Sequence, residues 1–422
     1  MNRIVHLGLG NFHRAHQAWY TVNAGDWKIT GVVMSNLALQ AQLVKHNNQY
    51  VLGTWDLNGL TTQIIDIYDE VLLASEQPEA VINKIADVNT HVVTVTITEK
   101  GYYLQPSTNS LDLSNPAIQS DLKAEIPKTA IGLLAAALLS RRTNASTPIT
   151  VISCDNLANN GHKLRQIIVE FVAKKDPDAI EWITHNVSFP NCMVDRITPK
   201  LNHETQAEIN SQQRSGDFPT VGTEAFSEWI IENEFAADRP AWDTAGAVFV
   251  DNVESFEQRK LRLLNAAHSY LAYAGLQAGY EYVHQAIADP ALKSHVDALW
   301  DEAAATVKQP AASSIADYRA ALLDRFAVPQ LRHRLEQIAM DGSLKLRERL
   351  LPIMTDRKSA GLQSPASESA IALWAQYVKT QVLANELFHD PNKEQLSALV
   401  KADPGNAEKV LFSYVTDNVE NT

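Results

Sequence analysis

The segment EQRKLRLLNAAHS sets four polar side chains, Glu257, Lys260, Asn265 and His268, into an otherwise apolar, helix-compatible stretch. At about 100° per residue, with Lys260 at zero, Glu257 falls near 60°, His268 near 80° and Asn265 near 140°, so all four share one side of a helix. The rise from Lys260 to His268 is about 12 Å, which suits a row lining an elongated, polyhydroxylated ligand rather than a single meeting point. Oxidation of a secondary alcohol needs a base for the hydroxyl proton and donors for the developing oxyanion. Lys260, partly desolvated, is the expected base, and Asn265 and Asn156 are the expected donors to the reacting oxygen. His268 is expected to orient a substrate hydroxyl, and Glu257 to tune Lys260 or reach a water path. The competing reading is a solvated charged face, in which Arg259, Arg262 and Glu257 have no chemical role.

Such chemistry also needs a hydride carrier. The segment RIVHLGLGNFHRAHQAWY begins with a short β-prone run, continues through Gly8-x-Gly10 and ends in a helix-capable stretch. Two glycines after a first strand allow a tight turn and close approach of a pyrophosphate to a helix start. The third glycine of the dinucleotide pattern is replaced by His13, which leaves an ordinary strand-to-helix turn as an alternative. Asn36 stands near the end of the second strand, where a carboxylate ordinarily binds the ribose hydroxyls. Its neutral amide can bind sugar, and SNLALQ offers no basic partner for an extra phosphate, so NAD is favoured over NADP.

The elements that must position these groups follow from the apolar pattern. KITGVVMS, HVVTVTIT and PITVISCDN read as buried parallel strands, and AIGLLAAALLSRR as a helix between two of them. This is the grammar of a Rossmann-like, doubly wound α/β domain. YVLGTWDLNGLTTQIIDIYD is less regular and adds strands or an elaborated crossover, while the span 201–216 reads as exposed, with Gly216 and Pro219 available for a turn. AGAVFVDN supplies the last strand of this domain. SFEQRKLRLLNAAHSYLAYAGL, DPALKSHVDALWDEAAATV and IADYRAALLDRF are helical, so residues 1–250 form the dinucleotide-binding domain and residues 251–422 a mainly α-helical catalytic and substrate domain.

Composition narrows the class further. The 422 residues carry 36 Lys+Arg against 49 Asp+Glu, a formal charge of −13, which argues against a general nucleic-acid or anionic-membrane surface. The apolar run Ala130–Leu139 falls far short of the roughly 20 residues that span a bilayer, and no secretory core precedes His13, Arg14 and His16, so a cytoplasmic location is expected. Cys154 and Cys192 form no Cys-x-x-Cys unit, and His13 and His16 sit outside any zinc pattern; no metal site is expected. Subunit number is not set by the helices alone.

The segments GLGNFHRAHQAWY, TVTITEKGYY, SCDNLANNG, FPNCMVDRITP, KLRLLNAAHS and QIAMDGSLKLRERLLP together resemble the polyol-specific long-chain dehydrogenases, the mannitol dehydrogenase family, which includes hexuronate reductases. The ordered K-x4-N-x2-H unit with MVDRITP is the specific part. The resemblance implies Lys260 as catalytic lysine, Asn156 and Asn265 as oxyanion-organising asparagines, His268 as a substrate ligand and Glu257 as the acidic residue of a water channel. It places Asp195 near the nicotinamide side and Gly8, Gly10 and Phe12 at the nucleotide entrance, and implies hydride transfer without a metal. PQLRHRLEQIAMDGSLKLRERLLP resembles the hexuronate-reductase branch. Lys345 matches a substrate-side lysine, Gln337 stands where mannitol dehydrogenases have an arginine, and Arg334 or Lys345 is the expected partner of a sugar carboxylate. Reversible reduction of fructuronate to mannonate with NADH is the preferred expectation. Tagaturonate reduction, mannitol 2-dehydrogenation and a silent sugar or nucleotide sensor are the alternatives.

Overall fold

The computed structural model describes residues 2–105, 108–213, 218–310 and 314–417, so the expectation for Gly216 lies outside the described residues. The chain divides into two compact units, Met1–Glu254 and Ser255–Thr422, whereas the sequence pattern places the change at 250/251.

In the first unit, β1 (Arg3–Leu7), β2 (Lys28–Val33), β5 (Tyr68–Leu73), β6 (Thr90–Val95), β7 (Ile149–Ser153) and β8 (Val187–Ser188) form one sheet in the order β5-β2-β1-β6-β7-β8. Every pairing is parallel. The chain leaves β1 toward one side and returns at β6 on the other, so the strand order reverses between these two, where open α/β sheets hold their ligands. Both faces are covered, which explains the continuous apolar runs. One core gathers Val5, Val93, Val151 and the buried stripe of helix Ala130–Asn144, and the other gathers Ile4, Ile29, Ile152 and Trp229. Thr129 caps that helix through a bond from the Gly132 N–H.

The irregular stretch after β2 resolves into β3 (Tyr50–Asp56) and β4 (Gly59–Ile65), a hairpin whose β3 also pairs in parallel with β10 (Thr220–Glu224), and then β5 of the main sheet. The span expected as an exposed connection contains a helix, His203–Gln212, capped by Asn202 and anchored by the buried Ile209 over Gly53. A β-carbon on Gly53 would lie 2.6 Å from Ile209 Cγ1, so the glycine admits the anchor. AGAVFVDN does form a strand, β12 (Val248–Val250), but in a separate three-stranded sheet with β9 (Cys192–Asp195) and β11 (Glu228–Glu232) rather than in the main sheet.

The second unit is helical. Its central helix, Ala266–Gln277, is buried at every position from Ala266 to Gly275, which is why the segment is apolar all round instead of amphipathic. Gly275 lets Leu335 and Ala286 pack against it. Glu302, buried, caps helix Pro365–Leu383 by accepting from the Ala366 and Ser367 N–H groups. Among the described residues no helix is long and apolar enough to cross a membrane.

Candidate active site

In the first unit, the ends of β1 and β6 open into a cleft of about 1010 Å³ lined by Gly8, Gly10, Arg14, Asn36, Thr96 and Thr129 among others. Gly8 has φ +94°, and its N–H donates to Val32 O. A β-carbon there would sit 2.0 Å from Thr96 O, so glycine is required by the fold itself. At Gly10 a β-carbon would approach only Gly8 O, at 3.6 Å, so its absence leaves room on the cleft side. The two glycines therefore differ, one closing the turn and the other leaving its cleft side open. This cradle fits a dinucleotide.

The first helix is short, Asn11–Ala15, and the chain kinks at His16 before helix Gln17–Ala24. His13, at the position of the missing third glycine, is buried and stacks on His6 with ring centroids 3.3 Å apart. Arg14 is buried and folds back over the turn, donating from Nε to Gly10 O and from Nη2 to Asn11 Oδ1. Asn36 lines the cleft and caps helix Leu37–Lys45, its Oδ1 accepting from the Leu39 N–H at 3.1 Å. Phe12 and Asp195 do not line this cleft. Phe12 stacks on His16, and Asp195 is buried at the end of β9.

Asn156 lies exposed just beyond β7, and two residues not singled out by the sequence reading hold its turn. The buried Asp155 carboxylate accepts from the Ile97 and Thr98 N–H groups at 2.9 Å each and from Tyr102 Oη at 2.7 Å, tying the ends of β6 and β7 together. Burial raises its pKa against the opposing pull of these bonds. Asn160 donates to Asp155 O and Cys192 O and accepts from the Cys192 N–H, clamping the other side of the turn. The polar letters of SCDNLANNG were the available signal. Cys154 and Cys192 are buried free thiols beneath this turn.

In the second unit, the polar row of Glu257 to His268 departs from the α-helical projection. Helix Glu254–Arg259 passes into a π-helical turn, Lys260–Asn265, and only then into Ala266–Gln277. A π turn closes i→i+5 bonds, so residues five apart stand one above the other as residues four apart do in an α-helix. Asn265 therefore turns toward Lys260 instead of standing about 140° away, and the axial distance to His268 shortens. The carbonyl of Asn265 is fixed from outside, by Arg349 Nη1 at 3.4 Å, which also donates to Ser269 Oγ at 3.0 Å.

This is not a solvated face. Lys260 is 8% exposed and Arg259 1%. Arg259 lies over the Tyr318 ring at 4.1 Å, and Arg262 pairs with Asp356 and donates to Thr306 O. Asn265 Oδ1 and His268 Nε2 are buried and have no hydrogen-bond partner among the described residues. Buried polar atoms left so cost stability unless a ligand or water completes them. Glu257 is half-buried one turn before Lys260.

The two expected carboxylate partners separate. Arg334 is half-exposed and its charge is spent on Glu281 at 3.2 Å and Glu336 at 3.4 Å, which places it in a surface ion-pair network. Lys345, on helix Gly342–Arg349, is more buried and lies close enough to lower the pKa of His333. His333 meets the His268 ring edge-on at 5.0 Å. Arg325, on helix Ile315–Ala327, joins this group and was missed, because nothing in its local sequence distinguishes it from a surface arginine.

Burial first, then the basic neighbours His333, Arg325, Arg349 and Lys260, hold His268 well below its ordinary pKa. Burial, then Arg325 and Lys345, push His333 down to about 4, and burial brings His6 to about 3. These imidazoles are neutral in the folded chain, whereas the unfolded chain protonates them below about pH 6.5. The unfolded state then binds more protons between pH 6.5 and 4, so stability falls as pH drops through that window. His6 alone should cost on the order of 3 kcal/mol at pH 4 relative to pH 7. Urea titrations from pH 7 to 4 should show the midpoint sliding down, and His333→Gln should flatten the slope; a pH-independent midpoint would contradict neutral burial.

Comparison with known proteins sharpens these features. The family described as "Mannitol dehydrogenase Rossmann domain" matches residues 2–244, and "Mannitol dehydrogenase C-terminal domain" matches residues 252–416. The chain is 39% identical over 393 residues to the D-mannonate oxidoreductase of Escherichia coli, covering 90% of this chain and 80% of that one. It is 35% identical over 416 residues to a mannitol 2-dehydrogenase of Phaeosphaeria nodorum, covering 95% and 73%. A solved Pseudomonas fluorescens mannitol 2-dehydrogenase in ternary complex with NAD and D-mannitol superposes with a TM-score of 0.85 at 33% identity, over 100% of this chain and 87% of that one. With a parallel sheet reversing at a glycine cradle, a helical unit carrying the buried lysine row, and both halves matched in order, the chain belongs to the mannitol dehydrogenase family.

Proposed function

We propose that this chain is an NAD-dependent hexuronate reductase that interconverts D-fructuronate and D-mannonate. At the coarser level it is an NAD-dependent oxidoreductase acting on the CH–OH group of a sugar acid or polyol. The observation that carries the reading is the π turn, which gathers a buried amine and a buried, unpartnered amide oxygen, followed by the unpartnered imidazole nitrogen of His268. The likeness to the E. coli D-mannonate oxidoreductase and the basic surroundings of His268 favour a sugar acid over a neutral polyol.

The Gly8–Gly10 cradle, with Asn36 beside it, would hold a nicotinamide dinucleotide, which would supply or accept the hydride. In the reducing direction the ammonium of Lys260 donates its proton to the oxygen of the former ketone. In the oxidising direction the neutral amine removes the hydroxyl proton. The side-chain amides of Asn156 and Asn265 donate hydrogen bonds to the same oxygen and stabilise its charge. Neutral His268 accepts from or donates to a neighbouring hydroxyl and so sets the sugar's orientation. Glu257, one turn earlier, tunes the amine or connects it to water. Alcohol oxidation should therefore accelerate as pH rises through the ionisation of Lys260, provided the proton or hydride step limits turnover.

The test is a panel of hexuronates, ketoses and polyols, assayed separately with NADH and NADPH for reduction and with NAD and NADP for oxidation. Fructuronate with NADH should give the highest kcat/KM. Preference for fructose and mannitol would move the assignment to mannitol 2-dehydrogenase, preference for tagaturonate to its epimeric reductase, and ligand binding without turnover to a sensor.

A further inference from the structure

We infer that His6 is a positioning residue for the cofactor turn: held as the Nε2–H tautomer, its ring fixes the Thr96 hydroxyl on the Gly8 carbonyl. This rests on the Gly8–Gly10 cleft being the dinucleotide site and goes beyond it by naming what aims the turn. β1 and β6 run in parallel with His6 beside Thr94, and the two-residue period of a strand puts Thr96 on the same face. The Gly8 peptide is held from both sides. Its N–H donates to Val32 O at 3.0 Å, a backbone bond that needs no particular side chain, whereas its carbonyl accepts from Thr96 Oγ1 at 2.9 Å. The β6 side of the turn therefore depends on a side chain, and Thr96 also lines the cleft.

A hydroxyl has one proton, and that of Thr96 is given to Gly8 O. The 2.9 Å contact between Thr96 Oγ1 and His6 Nε2 must then have Nε2–H as its donor, which leaves Nδ1 bare to accept from Thr94 Oγ1 at 2.8 Å. His6 and Thr94 are buried, so water does not compete for these bonds, and burial keeps the imidazole neutral. The ring cannot swing away, because His13 stacks on it with centroids 3.3 Å apart and planes within 10°. The usual dinucleotide pattern has a third glycine where His13 stands, so that helix and strand pack closely. Here the histidine takes that place and clamps the ring that orients Thr96. A departure from the pattern thus becomes part of how the turn is held.

Nitrogen NMR on isotope-labelled histidines, in the enzyme without cofactor, should show His6 protonated at Nε2 and bare at Nδ1, its signals identified by their loss in H6Q. A proton on Nδ1, or on both nitrogens, would overturn the inference. NADH binding followed by fluorescence supplies the functional readout. Glutamine carries its amide nitrogen near the place of Nε2 and asparagine near that of Nδ1, while both abolish the ring stack. H6N should bind NADH about 10-fold more weakly and H6Q within about 3-fold of wild type, although both melt at lower temperature. A merely structural role would weaken the two alike. T96V should also cost about 10-fold, and adding H6N to it should cost no more; additive losses would separate the two residues and sink the relay. Where H6N and H6Q fail to fold, T96V alone decides. Tight NADH binding by T96V beside weak binding by Gly10→Ala rejects the relay and keeps the cleft assignment, whereas tight binding by both removes the dinucleotide from this cleft.

Discussion

Lys260→Ala should lower kcat for both reaction directions by about 1,000-fold, the middle of the range for a general acid–base group, while NADH affinity stays within about 2-fold. The expectation follows from where the amine sits. Lys260 opens the π turn, is almost wholly buried, and belongs to a unit distinct from the nucleotide cleft, so its removal leaves the glycine cradle untouched. Lys260→Arg separates proton transfer from charge, because a guanidinium keeps the positive charge yet holds its proton at every accessible pH. It should be nearly as inactive as the alanine variant, and the rise of oxidation rate with pH should disappear in both. Single-turnover kinetics, which isolate the hydride step from product release, are the proper measurement. A variant with ordinary single-turnover rates would remove Lys260 from the chemistry.

Gly8→Ala should be the most damaging single change in the first unit. The substitution asks an L-residue to adopt φ +94° and drives a β-carbon to 2.0 Å from Thr96 O and 2.7 Å from Thr96 C. Those are backbone atoms just past β6, which is hydrogen-bonded to β1 along its length, so they cannot step aside cheaply. A loss of about 3 kcal/mol or more is expected, or a melting temperature lower by roughly 10 °C, together with loss of cofactor binding. Gly10→Ala is the informative contrast. Its β-carbon meets nothing nearer than 3.6 Å, so the variant should melt like wild type yet bind NADH about 10-fold more weakly. Differential scanning calorimetry and fluorescence titration on the same preparations distinguish the two effects. Tight NADH binding by Gly10→Ala would mean that the cofactor does not approach this turn.

The parallel strands were legible because a sheet covered on both faces demands unbroken apolar runs, and RIVHL, KITGVV, THVVTV and ITVIS supply them. The glycine pair was legible for a related reason, since backbone conformation leaves its mark on the residue that adopts it. Helix His203–Gln212 was not, because its one buried anchor, Ile209, matters only against Gly53 on a distant strand. The membership of the polar row was likewise written in the chain, but its geometry was not. Residue types from Lys260 to Asn265 favour a helix without saying whether its bonds close four or five residues back, and the outer contact from Arg349 accompanies the wider turn.

The same division separates the arginines. Arg334 and Arg325 are equivalent as letters on helix-forming segments, yet one is spent on surface carboxylates and the other is buried. Sequence by itself determined the order of elements, the turn that only glycine allows and the chemical groups available, since these depend on neighbours along the chain. Tertiary structure decided which of those groups lose their water and face one another, because desolvation and charge proximity are set by residues far away in sequence.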